Sequence, residues 1–199
     1  MTTGTARPGG RTARTRAAVL DATLAELVAS GYTQTSVEAI ALRAGVHKTT
    51  IYRRWRTKDQ LVADALEAAA ESRTEVPDTG DIDADMRTLA RAVVNTLTSR
   101  DGVATVRTIV ADAPGSRELE GIVRRFWATR LAHVGPVIER AIERGQLPDR
   151  TSPAELMKYV AAPLYYQLLM TAEPLTETSA DRAAAAAVAA ARAGVLGSA

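Results

Sequence analysis

The chain has 199 residues, with no cysteine, two histidines, and 25 lysines and arginines against 23 aspartates and glutamates. The absence of cysteine excludes disulfides, thiolate metal sites and cysteine nucleophiles. His47 and His133 lie far apart in sequence, so a histidine metal site is not expected, and we predict a protein without a metal or other cofactor. Apolar residues make up 46% of the chain and charged residues 24%, which is typical of a globular protein.

The small net charge hides an uneven distribution along the chain. Residues 1–60 contain ten basic and four acidic residues, a balance of +6, whereas residues 61–199 contain fifteen basic and nineteen acidic residues, a balance of −4. This asymmetry indicates an anion-binding module attached to a neutral or acidic body. A basic tail without a partner is the alternative that charge alone leaves open.

No targeting or membrane segment is predicted. The first sixteen residues have no apolar stretch behind them, unlike a secretory signal. The longest apolar run, residues 183–191, is about half of the ~20 residues that a membrane span needs. We therefore expect a protein of the cytoplasm that has no membrane partner.

Hydrophobic periodicity predicts nine helices and no strand, and hence an all-α fold. A flexible arm, residues 1–11, precedes helices at 12–30, 36–44 and 47–55 and a fourth that begins at Lys58. Thr35 and Glu38 predict a capping box at the start of the second helix. Gly45 is expected to end that helix in a left-handed conformation.

A connection at residues 75–81 leads to five more helices, expected near 86–97, 103–110, 117–144, 153–172 and 179–194. The Gly135-Pro136 pair predicts a kink or an interruption in the seventh helix. Ser152 and Glu155 predict a second capping box. The chain is thus divided into the arm, a three-helix domain at 12–57 and a larger C-terminal helical domain at 58–199.

Residues 36–55 have the spacing of a helix-turn-helix. Gly45 supplies the tight turn, small Ala41 lies where two helices cross, and Ile40, Val46 and Ile51 are apolar where the pair docks on its support. The second helix of such a unit presents its N-terminal residues to the major groove of DNA. A compact three-helix subdomain with a solvated basic face is the structural alternative.

The contiguous segment GYTQTSVEAIALRAGVHKTTIYRRWRTKDQL closely resembles the N-terminal signature of TetR-family transcriptional regulators. The resemblance rests on Thr-Ser-Val-x-x-Ile-Ala, Ala-Gly-Val, Thr-Ile-Tyr, an aromatic residue, a lysine and a leucine in that order. It implies an N-terminal DNA-binding domain, a C-terminal domain for dimerisation and ligand binding, and a sequence-specific regulator. Specifically, we expect a ligand-responsive repressor that binds a palindromic operator as a homodimer.

The resemblance also implies which residues contact DNA. Ser36, Tyr52 and Lys58 would contact phosphates, and Arg53 continues the positive strip beside them. Trp55 replaces the usual phenylalanine and is expected to pack in the core. The residues expected to contact bases or phosphates from the recognition helix are His47, Lys48, Thr49 and Thr50, of which His47 departs from the serine common at that place.

For the C-terminal domain the resemblance implies an unknown small-molecule effector and a second copy of the chain as partners. Arg130 is of most interest, because it lies on an apolar helix face. It either snorkels outward, or faces a cavity and pairs with an anionic ligand or an acidic side chain. The candidate pocket residues are Met86, Arg107, Phe126, Trp127, Arg130, His133, Met157, Tyr165 and Met170. The candidate interface residues are Tyr159, Pro163, Leu164, Tyr166, Leu168, Ala184, Val188 and Ala191.

Two other classes of protein compete with this interpretation. A helical enzyme lacks support, because the sequence has no Gly-rich phosphate loop and no metal-ligand spacing. Asp81, Asp83 and Asp85 suggest a metal cluster, but acidic residues in the first turn of a helix are explained by its dipole. A helical ligand-binding module without a DNA function is the second alternative.

Overall fold

A computed structural model of the protein describes residues 10–71, 76–99, 102–103, 105–106 and 117–197. Within these residues it contains eight α-helices and no strand, and a single bridge joins Thr151 to Gly197. The helices are α1 Arg11–Gln34, α2 Val37–Ala44, α3 Lys48–Tyr52, α4 Lys58–Glu71, α5 Ile82–Thr98, α6 Arg117–Glu143, α7 Pro153–Tyr166 and α8 Glu177–Arg192.

The predicted all-α fold is confirmed, but the count of nine helices was one too many for the described part of the chain. The difference arises at the helix predicted near residues 103–110. Most of that segment lies outside the described residues, and the described residues 102–103 and 105–106 have helical backbone.

The start of α2 differs from prediction by one residue. Ser36, not Thr35, is the N-cap, and its Oγ accepts a hydrogen bond from the Ala39 amide at 3.1 Å. The Thr35 hydroxyl instead donates to the Gly31 carbonyl at 2.6 Å. Gly31 has a φ of 72°, which breaks the helical geometry of α1 there.

Of the kink or interruption predicted at Gly135-Pro136 in α6, the interruption does not occur. The helix runs continuously from Arg117 to Glu143 with Pro136 inside it. A proline inside a helix costs about 3 kcal/mol. On either side of Pro136, however, Val134, Val137 and Ile138 are buried, and each fully buried aliphatic side chain stabilises the fold by about 1.5–3 kcal/mol.

Only half of the capping box predicted for α7 is confirmed: Ser152 Oγ accepts from the Glu155 amide at 3.3 Å, but the Ser152 amide donates to the Leu196 carbonyl at 2.8 Å. The predicted helix at 153–172 is α-helical only as far as Tyr166. It continues as a π-helical turn, Gln167–Thr171, and ends at Ala172, whose φ is 54°.

The described residues form two compact units. The first comprises those within Met1–Ala68 and Ala104–Val123, and the second those within Ala69–Val103 and Arg124–Ala199. In the first unit α2 packs on α1 and α3 on α2. Its buried side chains include Leu20, Leu24, Ile40, Ile51, Trp55, Leu61 and Val62.

In the second unit α5, α7 and α8 pack against one another. Two arginine–aspartate pairs join α5 to α8: Arg91 contacts Asp181 through two hydrogen bonds of 2.8 Å, and Arg192 contacts Asp83 at 2.6 Å. The Arg91 guanidinium holds the pKa of the Asp181 carboxyl below its usual range. The buried side chains of this unit include Met86, Leu89, Ile138, Leu156, Val160, Leu164, Ala184 and Val188.

The three aspartates around the start of α5 have separate partners. Asp81 caps the helix by accepting from the Asp83 amide at 2.9 Å. Asp83 pairs with Arg192, and buried Asp85 accepts from the Thr79 hydroxyl at 2.8 Å. Capping, ion pairing and a loop hydrogen bond therefore account for these three residues.

Candidate functional site

The turn between α2 and α3 is held by its backbone. Gly45 has a φ of 65°, which favours glycine because other residues are strained there. Its amide donates to the Leu42 carbonyl at 3.2 Å, and the Val46 amide donates to the Ala41 carbonyl at 3.0 Å. These two bonds form a Schellman motif, which fixes the direction in which α3 leaves the turn.

The recognition residues predicted on α3 lie at the surface. His47 precedes the helix with extended backbone, φ −74° and ψ 142°. His47, Lys48 and Thr49 are exposed and Thr50 is half-buried, whereas Ile51 points into the core. The helix therefore uses Ile51 as its anchor and presents its first turn to solvent.

Ser36 and Tyr52 also retain groups that can contact a partner. The Ser36 oxygen accepts from the Ala39 amide, but this bond does not use the hydroxyl proton. Tyr52 is exposed at the end of α3 and is followed by exposed Arg53 and Arg54. Hydroxyl and guanidinium donors of this kind can reach phosphate oxygens.

Lys58 has a structural contact that the sequence did not indicate. Its Nζ donates to the Tyr32 carbonyl oxygen at 2.9 Å and lies 4.3 Å from the centre of the Tyr32 ring. The Tyr32 hydroxyl donates to Asp59 in turn. An ammonium has three donors, so the Tyr32 carbonyl positions Lys58 and uses one of them.

Trp55 packs in the core, as predicted. Its side chain is buried and its Nε1 donates to Asp64 Oδ2 at 2.9 Å. The same carboxylate lies 3.6 Å from Arg16, and the Arg54 guanidinium lies 5.5 Å from the Trp55 ring centre. The indole therefore links the end of α3 to α4 and is not available for base stacking.

Two ion pairs join α2 to its neighbouring helices. Arg43 Nε lies 2.6 Å from Glu26 Oε1 on α1, and Lys48 Nζ lies 3.7 Å from Glu38 Oε1. Glu38 lies in the first turn of α2. Its ion pair with Lys48 places it beside the predicted recognition residues. The sequence predicted only a capping role for Glu38, because Lys48, its partner in the ion pair, lies on the next helix.

In the second unit, four of the predicted pocket residues come together. The rings of Phe126 and Trp127 are 5.2 Å apart edge to face, and those of Trp127 and Tyr165 are 5.9 Å apart. The Arg130 guanidinium lies 5.7 Å from the centre of the Phe126 ring. We call Phe126, Trp127, Arg130 and Tyr165 the aromatic–arginine cluster.

The surroundings of Tyr165 in the aromatic–arginine cluster change the pKa of its phenol. Burial raises the pKa of Tyr165 to about 12, and the positive charge of Arg130 opposes this shift. Tyr165 therefore keeps its proton at neutral pH and remains a hydrogen-bond donor beside a cation.

The other predicted pocket residues differ in burial. Met86 is fully buried in the core, Met157 is half-buried, and His133 and Met170 are exposed. Arg107 lies outside the described residues.

Two family models match the chain. One, described as bacterial regulatory proteins of the tetR family, matches residues 19–65, and the other, described as the tetracyclin repressor-like C-terminal domain, matches residues 76–187. The chain belongs to the TetR family. The first of these matches includes the whole helix-turn-helix, and the second includes the aromatic–arginine cluster.

Individual relatives support the same assignment. The HTH-type transcriptional regulator AqdR of Rhodococcus erythropolis is 34% identical over 141 residues, 71% of this chain and 68% of its own. The DNA-binding transcriptional repressor TetR of Mycobacteroides abscessus is 42% identical over 71 residues, 35% of this chain and 37% of its own. The crystal structure of the TetR family transcription regulator SCO0332 superposes with a TM-score of 0.72 at 28% identity, covering 88% of this chain and 97% of that one.

This TetR-family chain is therefore a DNA-binding transcriptional regulator and not an enzyme. Regulators of the family bind DNA and usually function as dimers. No helix in the described ranges combines the length and the apolar character needed to cross a membrane.

The predicted interface residues of this TetR-family chain divide into two groups. Tyr159, Pro163 and Tyr166 are exposed on α7, and Leu168 is half-buried in the π-helical turn after it. The other four are at most 1% exposed, because they pack inside the core of their own protomer: Leu164, Ala184, Val188 and Ala191. The residues that α8 exposes instead include Ala185, Ala186 and Ala189.

Proposed function

We propose that this regulator is a ligand-responsive repressor that binds a palindromic operator as a homodimer. The observation that carries the proposal is the first turn of α3, which is solvent-exposed on a helix pair fixed by the Gly45 turn. A relative that shares 42% identity over 71 residues is named a repressor. Because the operator DNA that the regulator binds is in the cytoplasm, we place the protein there as well.

The DNA-binding domain, residues 12–57 together with Lys58, docks with α3 in the major groove. Side chains at the start of a recognition helix reach base edges, and groups around it position the protein on phosphates. The residues that meet bases or phosphates from α3 are His47, Lys48, Thr49 and Thr50. Those that contact phosphates are Ser36, Tyr52, Arg53 and Lys58.

Dimerisation uses the exposed sides of α7 and α8 in the C-terminal domain, residues 58–199. Tyr166 is 60% exposed, and the exposed alanines of α8 permit close approach of a second helix. Mutation of Tyr166 to glutamate should shift the protein from dimer to monomer in sedimentation velocity at micromolar concentration. A wild-type monomer at that concentration would contradict the proposed dimer, and Lys158→Glu on the same helix serves as a charge control.

The effector binds at the aromatic–arginine cluster. The Arg130 guanidinium lies 5.7 Å from the centre of the Phe126 ring, and a guanidinium carries N–H donors that match a carboxylate. The Tyr165 phenol adds a neutral donor, and the rings of Phe126 and Trp127 offer apolar edges. This combination suits a ligand with an aromatic ring and an acidic group.

The effector acts by shifting the population of dimer conformations. Two recognition helices must lie about 34–36 Å apart to enter successive major grooves. A ligand that binds better to a different spacing weakens DNA binding by a coupling free energy of typically ~1–3 kcal/mol.

A thermal-shift comparison of aromatic carboxylates with their neutral amides tests this site. The acids should raise the unfolding temperature of the wild type more than the amides do, and Arg130→Gln should remove the difference. The stabilising acids should also release operator DNA in fluorescence anisotropy. Equal shifts by acids and amides would contradict the cluster as an acid-binding site without affecting the DNA-binding proposal.

A further inference from the structure

The ion pair between Glu38 and Lys48 spans the two helices of the helix-turn-helix. Lys48 Nζ lies 3.7 Å from Glu38 Oε1, and each side chain is 61% exposed. Lys48 opens α3, and Glu38 lies in the first turn of α2. The pair is therefore next to the residues that meet DNA, with both charges accessible.

The helix dipole accounts for an acidic residue in the first turn of α2, but it does not account for the ion pair with Lys48. An ion pair this exposed contributes little to folding, because water screens both charges. A carboxylate on a surface that approaches phosphates also opposes binding through like-charge repulsion, unless the DNA offers it a donor. Exocyclic amino groups on the bases are such donors in the major groove.

A G·C pair presents a pattern that complements this ion pair. Guanine offers two adjacent acceptors, N7 and O6, and cytosine N4 beside them offers a donor. An ammonium supplies several donors and a carboxylate supplies only acceptors. An A·T pair alternates acceptor, donor and acceptor across the groove, so it gives the ammonium no adjacent pair of acceptors.

We infer that Glu38 and Lys48 together read one G·C base pair in each half-site, Lys48 donating to guanine and Glu38 accepting from cytosine N4. This inference rests on the proposed docking of α3 in the major groove. It adds Glu38 as a specificity-determining residue that also positions Lys48. The Schellman turn at Gly45 fixes the two helices relative to each other, so the pair meets the base edge as one preformed unit.

A purely structural role for Glu38 predicts a different outcome. A glutamate in the first turn of α2 also interacts favourably with the helix dipole. In that case Glu38→Gln would lower the unfolding temperature and weaken all sequences equally, because the substitution would leave every hydrogen bond to the bases in place. The base preference of the variant therefore separates the two roles.

Selection from a library of randomised DNA duplexes, followed by anisotropy titrations of single-base variants, tests the inference. The wild type should prefer G·C over A·T at one position per half-site by about tenfold or more. Glu38→Gln should change the preferred pair from G·C to A·T, because an amide pairs with adenine N6 and N7. Glu26→Gln is the matched control, since it removes the ion pair to Arg43 without touching α3, and it should keep the wild-type preference.

A double-mutant cycle isolates the joint contact. If the two side chains read the same pair, the effect of Glu38→Gln on that preference should differ between the wild-type and Lys48→Ala backgrounds. Selection of the same base by wild type and Glu38→Gln, or additive effects of the two mutations, would overturn the inference. A wild-type protein that enriches no motif at all would instead contradict the proposed docking itself.

Discussion

Replacing Tyr165 with phenylalanine should remove a specific pH dependence of stability. The pKa of Tyr165 is raised by burial from 10.0 to about 12. The unfolded chain therefore loses this proton near pH 10, whereas the folded protein keeps it until about pH 12. Between these values the unfolded state binds fewer protons, so the free energy of unfolding falls as the pH rises.

The size of this change in the free energy of unfolding follows from the pKa shift of Tyr165. Two pKa units correspond to about 2.7 kcal/mol, at about 1.4 kcal/mol for each unit. The contribution is fully present below pH 10 and is lost as the pH rises to about 12. The free energy of unfolding of wild type minus that of Tyr165→Phe should therefore fall by about 2–3 kcal/mol across this range.

Urea unfolding of both proteins from pH 8 to 12 measures this difference, in which the titrations common to both proteins cancel. Absorbance at 295 nm provides a second readout, because one of the five tyrosines should ionise late in the wild type and be missing in Tyr165→Phe. Tyr166→Phe is the control, since it removes an exposed hydroxyl outside the aromatic–arginine cluster. Parallel pH curves for wild type and Tyr165→Phe would refute the argument.

Three further predictions concern the N-terminal unit. Lys58→Ala should lower the slope of log affinity against log salt by about 0.9 for each phosphate that the lysine neutralises; equal slopes in anisotropy titrations would argue against that role, and Lys158→Ala on α7 is the control. Gly45→Ala should destabilise the protein by about 1–2 kcal/mol in urea unfolding, because its φ of 65° strains other residues. An unchanged free energy of unfolding in Gly45→Ala would contradict this role of the turn. Trp55→Phe keeps a buried aromatic ring but removes the indole N–H that donates to Asp64. Thermal unfolding should therefore show a free energy of unfolding lower by about 1–2 kcal/mol; an unchanged unfolding temperature would contradict a stabilising role for this hydrogen bond.

Local features of the fold were predictable from the sequence because short-range physics decides them. Gly45 and the apolar spacing around Ile51 define the turn and the buried side of α3, and both are as predicted. The cap of α2 was wrong by one residue because Thr35 and Ser36 can each accept the bond. Residue types alone do not determine which of the two caps the helix.

Features that depend on contacts between helices were less predictable. The last helix carries alanine on most of its faces, so periodicity did not distinguish buried Ala184 from exposed Ala185. The contacts of Lys58 with Tyr32 and of Lys48 with Glu38 each join two helices. By contrast, the spacing of Phe126 and Arg130 within one helix was sufficient to predict that they lie on the same face.

The most direct test of the central claim is selection of DNA by the wild-type protein, followed by sedimentation of the complex. We expect enrichment of an inverted repeat whose half-site centres lie about 10–10.5 base pairs apart, or a multiple of that spacing. Each repeat should bind two chains, and an excess of non-specific duplex should not displace them. Recovery of random sequences, or binding of a single chain to one unrepeated site, would contradict the claim.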